Sequence, residues 1–316
     1  MSDDERDAPA TPALADALVG LRQRLEQSFA PPEEGGIDWM ALYESARRRF
    51  AQVGGMRDIP AEIDDFGMDA AALADARTWL DWLYDRWWRV DVVGSENVPS
   101  GPCLFVANHS GLLPWDGLML AHALDRHTPE SPRARFLVAD WIATLPFAAP
   151  WITRLGGVRA CRENAERLLR TGRSVIAFPE GAKGAAKVFR QRYRVQRFGR
   201  GGVVRTALAA RRPLVPVAVV GAEEAHPVLF KVETVARSIG IPFLPVTPTF
   251  PALGPLGLLP LPSKWSIEFG APVDASDIGR DALRDDTLIW RVTEELRSSI
   301  QSMLDAGVRR RSSVWS

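Results

Sequence analysis

Two short apolar runs, far apart in the chain, each end in a charged residue and a glycine turn. Residues 103–107 run into Asn108-His109-Ser110-Gly111, and residues 174–178 run into Pro179-Glu180-Gly181-Ala182-Lys183. Continuous apolar runs of this length, bounded by turn residues, read as buried strands. With helical stretches between them, they place the chain among α/β folds, where polar groups at strand ends line one crevice at the carboxyl edge of the sheet. After the first run, Pro114-Trp115-Asp116 opens an apolar helical stretch, so an imidazole at a strand mouth is followed by a carboxylate at a helix start. A His paired with an Asp in that position can act as general base towards a hydroxyl. The plainer alternative is an exposed His on a turn and an Asp that caps a helix.

Four blocks then occur in one order: Asn108-His109 with Asp116, residues 157–162, Phe178-Pro179-Glu180-Gly181-Ala182-Lys183, and Val215-Pro216-Val217. Together they resemble the glycerolipid acyltransferases, which include the lysophosphatidic acid (1-acylglycerol-3-phosphate) acyltransferases. In that family the His and Asp are separated by four residues and the third block reads Phe-Pro-Glu-Gly-Thr-Arg. Here six residues separate His109 from Asp116, and Ala182-Lys183 replaces Thr-Arg. A lysine there is a point charge where the family has a bidentate fork.

The resemblance implies an α/β fold, a central mixed sheet flanked by helices. It implies transfer of a fatty acyl group from an acyl-CoA or acyl-carrier-protein thioester to a hydroxyl of a lysophospholipid-like acceptor. His109 would be the general base and Asp116 its orienting carboxylate. Arg162 and Lys183 would attract a phosphate, Glu180 would orient the acceptor or brace the turn, and backbone N–H groups around Gly181 would face the oxyanion. The reaction calls for no metal or cofactor beyond the thioester co-substrate. Two further readings stay open: a neutral lipid alcohol as acceptor, and a non-catalytic scaffold associated with a membrane or a nucleic acid.

The formal net charge of zero conceals an asymmetry, because residues 1–75 carry 16 acidic and 7 basic side chains and the remainder 23 acidic and 32 basic. The basic part is where an anionic substrate or membrane face would be met. Two cysteines, Cys103 and Cys161, are too few for a disulfide framework and fit a reducing compartment. Arginine outnumbers lysine 35 to 4, a bias of GC-rich bacterial genomes. The start has neither a basic n-region nor an apolar core, and no apolar run is long enough to span a bilayer. The expected location is therefore cytoplasmic and peripheral, on the inner face of the cell membrane.

Four segments follow: an acidic, partly disordered 1–36 with a helix, a helical extension over 37–86, an acyltransferase domain over 87–305, and a basic tail over 306–316. Helical stripes are expected over 14–29 and 39–50, with a linker at 31–36. A helix over 70–88 carries Trp79, Trp82, Trp87 and Trp88, which suit a core or a lipid headgroup layer. Residues 141–151 read as a core helix or a lip that dips into a bilayer.

Between 183 and 200, Lys183, Lys187, Arg190, Arg192, Arg194, Arg197 and Arg200 occur with no acidic residue, interleaved with Phe189, Tyr193 and Phe198. This suits a solvated basic face, a nucleic-acid groove, or a site for the phosphates of a thioester carrier or anionic lipid; no nucleic-acid partner is expected beside the two strand-end motifs. Residues 227–239 read as a helix. Residues 241–262, apolar and rich in proline, cannot be a regular helix, and suit either a membrane-docking or acyl-lining surface or a cover over the sheet. No serine-hydrolase elbow, phosphate loop or dinucleotide fingerprint is present, and no histidine has metal-ligand neighbours.

Overall fold

The structure, a computed structural model, describes residues 63–316 apart from 112, 130, 132, 145–147, 239–242, 275–282 and 316. The segment 1–36, the first part of 37–86, the stripes over 14–29 and 39–50 and the linker at 31–36 lie outside the described residues. The short apolar runs form strands: β1 (Asp91–Val93), β2 (Leu104–Ala107), β3 (Arg135–Val138), β4 (Gly157–Arg159), β5 (Val175–Ala177), β6 (Leu214–Val220), β7 (Phe230–Val232), β8 (Leu244–Val246) and β9 (Ser266–Phe269). Among the described residues the helices are α1 (Ala70–Trp82), α2 (Trp115–His127), α3 (Ala148–Arg154), α4 (Arg162–Arg170), α5 (Gly181–Ala185), α6 (Gly202–Ala210), α7 (Ala222–Ala225), α8 (Glu233–Ser238) and α9 (Asp286–Arg310).

Among the described residues, one seven-stranded sheet runs β1-β9-β6-β2-β5-β3-β4. At its centre β2 pairs parallel with β5 and with β6, Leu104 lying opposite Val175 and Leu214. β9 runs antiparallel to β6, and β1 joins β9 in parallel, so the sheet is mixed. Successive strand side chains point to opposite faces. Phe105 and Ala107 pack into the layer of α1 and α2, whereas Leu104 and Val106 pack into that of α4, α6 and α9. With both faces covered, the whole of β2 is buried, which is why its sequence shows no polar alternation.

α1 starts at Asp69, whose carboxylate accepts the N–H groups of Ala71 and Ala72, a cap worth about 1 kcal/mol. The acidic loop before it is fastened by three arginines: Asp64 pairs with Arg135, Asp65 with Arg167 at 2.7 Å and Asp69 with Arg154 at 2.6 Å. Past α1, a wider π-type turn over Leu83–Trp87 leads to Trp88, which is fully buried and stacks on Trp265 with ring centroids 4.5 Å apart. Trp79 and Trp82 are exposed. The reading of 141–151 as one piece resolves into a 3₁₀ turn, Asp140–Thr144, and α3, with Ile142 buried and Trp151 exposed.

Residues 227–239 are not one helix. β7 forms there because residues 230–232 pair antiparallel with 244–246, and only α8 remains helical. Cross-strand pairing has overridden the local pattern. The proline-rich stretch contributes β8 and a 3₁₀ turn, Gly254–Leu258. It is part cover and part surface, with Phe243 and Thr247 buried and Leu253, Leu256 and Leu259 exposed. α9 continues through Arg310, so the stretch 306–316 begins inside a helix, and Arg311 pairs with Glu224 at 2.6 Å.

Candidate active site

His109 lies two residues beyond the end of β2, and the residue between them sets its position. Asn108 is buried and mimics one more rung of the ladder: its Nδ2 donates to the Val219 carbonyl (2.9 Å) and its Oδ1 accepts the Val219 N–H (2.7 Å). The chain turns immediately after, and the longer loop still returns Asp116 to the ring, with His109 Nδ1 2.7 Å from Asp116 Oδ2. Asp116 also accepts the N–H groups of Ser110 (2.9 Å) and Gly117 (2.8 Å), so its oxygens face donors. A carboxylate that only accepts places the hydrogen on Nδ1 of His109 and leaves Nε2 with a free lone pair. Among the described residues Nε2 has no partner; the ring is 17% exposed while Asp116 is fully buried. Phe178 stacks on the imidazole at 4.7 Å between centroids, limiting its rotation.

Glu180 sits at the tip of β5 with its side chain fully buried. Its Oε1 accepts the backbone N–H of His109 (2.8 Å) and its Oε2 that of Gln196 (2.7 Å). Lys187 reaches Glu180 Oε2 at 3.3 Å and Glu223 Oε1 at 2.6 Å. Burial opposes the charge on Lys187, but the two carboxylates outweigh it and hold the ammonium above its usual range. Burial likewise keeps Glu223 above the usual carboxylate value, against the pull of Lys187 and the Tyr193 N–H.

A cavity of about 380 Å³ opens beside His109, lined also by Phe178, Gly181, Ala182, Arg162 and Arg200. Gly181 has φ +55°, and a side chain there would meet nothing, so the backbone is bare towards this space. Its own N–H, however, bonds the Phe178 carbonyl at 3.0 Å, so the oxyanion-donor role expected of this turn does not fall to the N–H of Gly181 itself. Arg162 lines the cavity with its guanidinium paired to Glu166. Lys183 is exposed on α5 and is not among the lining residues. A second cavity of about 360 Å³ shares Pro114 with the first; Trp79, Trp115, Leu118, Phe136 and Trp151 make its walls almost wholly apolar. Among the described residues no group of three or more His, Cys, Asp or Glu is arranged to hold a metal.

The family model described as Acyltransferase matches residues 89–220, from just before β1 to the end of β6. Uncharacterized proteins of Mycobacterium leprae and Mycobacterium bovis are 44% and 43% identical to this chain over 244 residues. The alignments cover 77% of this chain, 66% of the first relative and 68% of the second. The chain belongs to the acyltransferase family. The crystal structure of the 1-acyl-sn-glycerophosphate acyltransferase PlsC from Thermotoga maritima is similar at a TM-score of 0.45 and 18% identity, over 95% of this chain and 90% of that one.

In this member of the family, His109, Asp116, Glu180 and Gly181 converge at the tips of β2 and β5, and Arg162 reaches the same cavity from α4. Four residues that also shape the site went unassigned in the sequence. Asn108 carries a signal, a polar residue closing an apolar strand. Phe178 lies inside a motif but its ring contact is tertiary. Lys187 and Glu223 give no local sign, since one lies in a basic stretch and the other in an acidic pair. Two aromatics of that basic stretch, Tyr193 and Phe198, are buried in the core and out of reach of stacking bases, while Phe189 is half-buried and lines an open pocket with Arg190 and Arg192.

Proposed function

We propose that this acyltransferase moves a fatty acyl group from an acyl-CoA or acyl-carrier-protein thioester to a hydroxyl of a lysophospholipid-like lipid, with His109 as general base. One observation carries the reading: an imidazole at a strand tip lines a cavity while its Nδ1 is held by a buried carboxylate, leaving Nε2 without a partner among the described residues. Nε2 would take the hydroxyl proton as the oxygen attacks the thioester carbonyl, and Asp116 would stabilise the imidazolium. Collapse of the tetrahedral oxyanion would then expel the thiolate, which takes the proton back from His109. Base assistance of this kind is worth about 10²–10⁴ in rate. Ala182, next along the bare turn, lines the same cavity, and its backbone N–H would serve as a donor for the oxyanion. The apolar cavity beyond Pro114 suits a hydrocarbon chain.

Arg162 and Arg200 would meet the acceptor's phosphate. The pairing of Arg162 with Glu166 offsets part of that charge and favours, as the second reading, a neutral lipid alcohol. No helix among the described residues is long and apolar enough to cross a membrane. Exposed Phe230, Leu253, Leu256 and Leu259 support a peripheral contact with a lipid surface.

Thiol release from long-chain acyl-CoA in the presence of lysophospholipid, diacylglycerol or a long-chain alcohol tests the reading and ranks the acceptors. His109→Ala is expected to lower kcat by about 10²–10⁴ with the fold intact. Retention of wild-type turnover by that variant overturns the base assignment.

A further inference from the structure

The tips of β2, β5 and β6 meet around one ammonium. The side chains of Lys187, Glu180 and Glu223 are 3%, 0% and 6% exposed, so two carboxylates share a single countercharge out of reach of water. Glu180 spends its remaining acceptor capacity on the backbone of His109 and of Gln196. Glu223 accepts the Tyr193 N–H at 2.7 Å, and the Tyr193 hydroxyl accepts the Gly221 N–H at 3.0 Å. The neighbouring Glu224 is paired with Arg311 and approached by Arg192 at 3.9 Å, and the His109 ring with Asp116 completes the charged groups around the cluster. A buried carboxylate deprived of its countercharge takes up a proton instead of staying ionised. A neutral carboxyl is a weaker acceptor for an amide N–H than a carboxylate.

On the acyl-transfer reading above, we propose that Lys187 is a positioning residue for His109, bracing the Glu180 carboxylate so that it pins the backbone from which the imidazole projects. Lys187 bonds neither the ring nor any lining residue of the cavity among the described residues. Glu223 in turn anchors Lys187 from the β6 side. The consequence is specific to turnover: the ring's aim depends on Lys187, whereas the substrates never meet it.

Lys187→Met, Glu223→Gln and the double variant, made in the full chain, test this by thiol release across pH, with folding followed by near-ultraviolet circular dichroism. Lys187→Met is expected to lower kcat at neutral pH by at least ~10-fold, with both KM values within about twofold. Its deficit shrinks as pH rises, because the crowded carboxylates regain their charge. The double variant, which buries one carboxylate fewer, recovers part of that loss yet stays below Glu223→Gln alone. A folded Lys187→Met protein with wild-type kcat and an unchanged pH profile overturns the proposal. Should Lys187→Met fail to fold, equal kcat for Glu223→Gln and the double variant overturns it instead. The amide resonance of His109, expected to shift on Lys187→Met, reads the same contact without turnover. A wild-type chain inert to every thioester, with that resonance still responding, sinks the reaction while supporting the positioning contact.

Discussion

Asp116 shows how a spacing that departs from the family pattern still delivers the contact. The loop of six residues turns at Gly111, which takes φ +74°, and the carboxylate returns to Nδ1 at 2.7 Å. Because Asp116 also accepts two backbone N–H groups, Asp116→Asn would turn a donor towards a site built of donors. On the proposed mechanism this substitution lowers kcat by about 10²–10⁴ with KM nearly unchanged. Steady-state kinetics on the folded variant check it, and unaltered turnover would mean that Phe178 and the backbone alone orient the ring. At this scale the sequence was legible where chemistry is local to a motif. His109, Asp116 and Glu180 are found by residue type and order, but the partner of Glu180 is Lys187, one cation among seven in its stretch, chosen only by tertiary burial.

The short helix α5 demonstrates how an element can serve a site without contributing a reactive group. It lies against both strand tips because residue 184 is glycine: a Cβ there would come 2.5 Å from the Cβ of Glu180 and 3.0 Å from that of His109. Gly184→Ala must therefore push one of them aside, at an overpacking cost of about 1–3 kcal/mol. A displacement on the order of 1 Å can cost about 10²-fold in rate. The expected result is a kcat reduced by at least ~10-fold, together with a lower Tm, and a variant lowered in Tm alone would show that the tips absorb the methyl group. Strands buried on both faces, such as β2, β5 and β6, were readable from apolar runs and punctuation. The β7–β8 hairpin was not, because its pairing joins residues on either side of α8, and a short apolar stretch looks alike in either conformation. The 64–69 loop likewise reads as acidic surface until Arg135, Arg154 and Arg167 are seen to hold it.

Two histidines outside the His109–Asp116 pair, one of them, His226, packed beside Gly111, link stability to pH. Burial holds His122 below the ordinary value of 6.5 despite its 2.9 Å contact with Asp81. Burial does the same to His226, whose Nε2 lies 2.9 Å from the Leu258 carbonyl. In the unfolded chain both protonate near 6.5, before they do in the native state, so stability is full above that value and is lost as pH falls through the lowered native ones. Tm is therefore expected to be level from pH 8 to 7 and to decline between pH 6.5 and 5, as measured by calorimetry. A Tm level across the lower window would show that the interior admits both protons without strain.

His109, Glu180 and Glu223 are supplied by three separate stretches that become neighbours only when β6, β2 and β5 lie side by side. A fragment that stops before β6 would own the imidazole and its aspartate yet lack Val219, which receives Asn108, and Glu223, which anchors Lys187. Reactivity in such a design has no halfway form. On the proposed mechanism it needs all three central strands at once, so a remnant cut before β6 is expected to turn over no thioester.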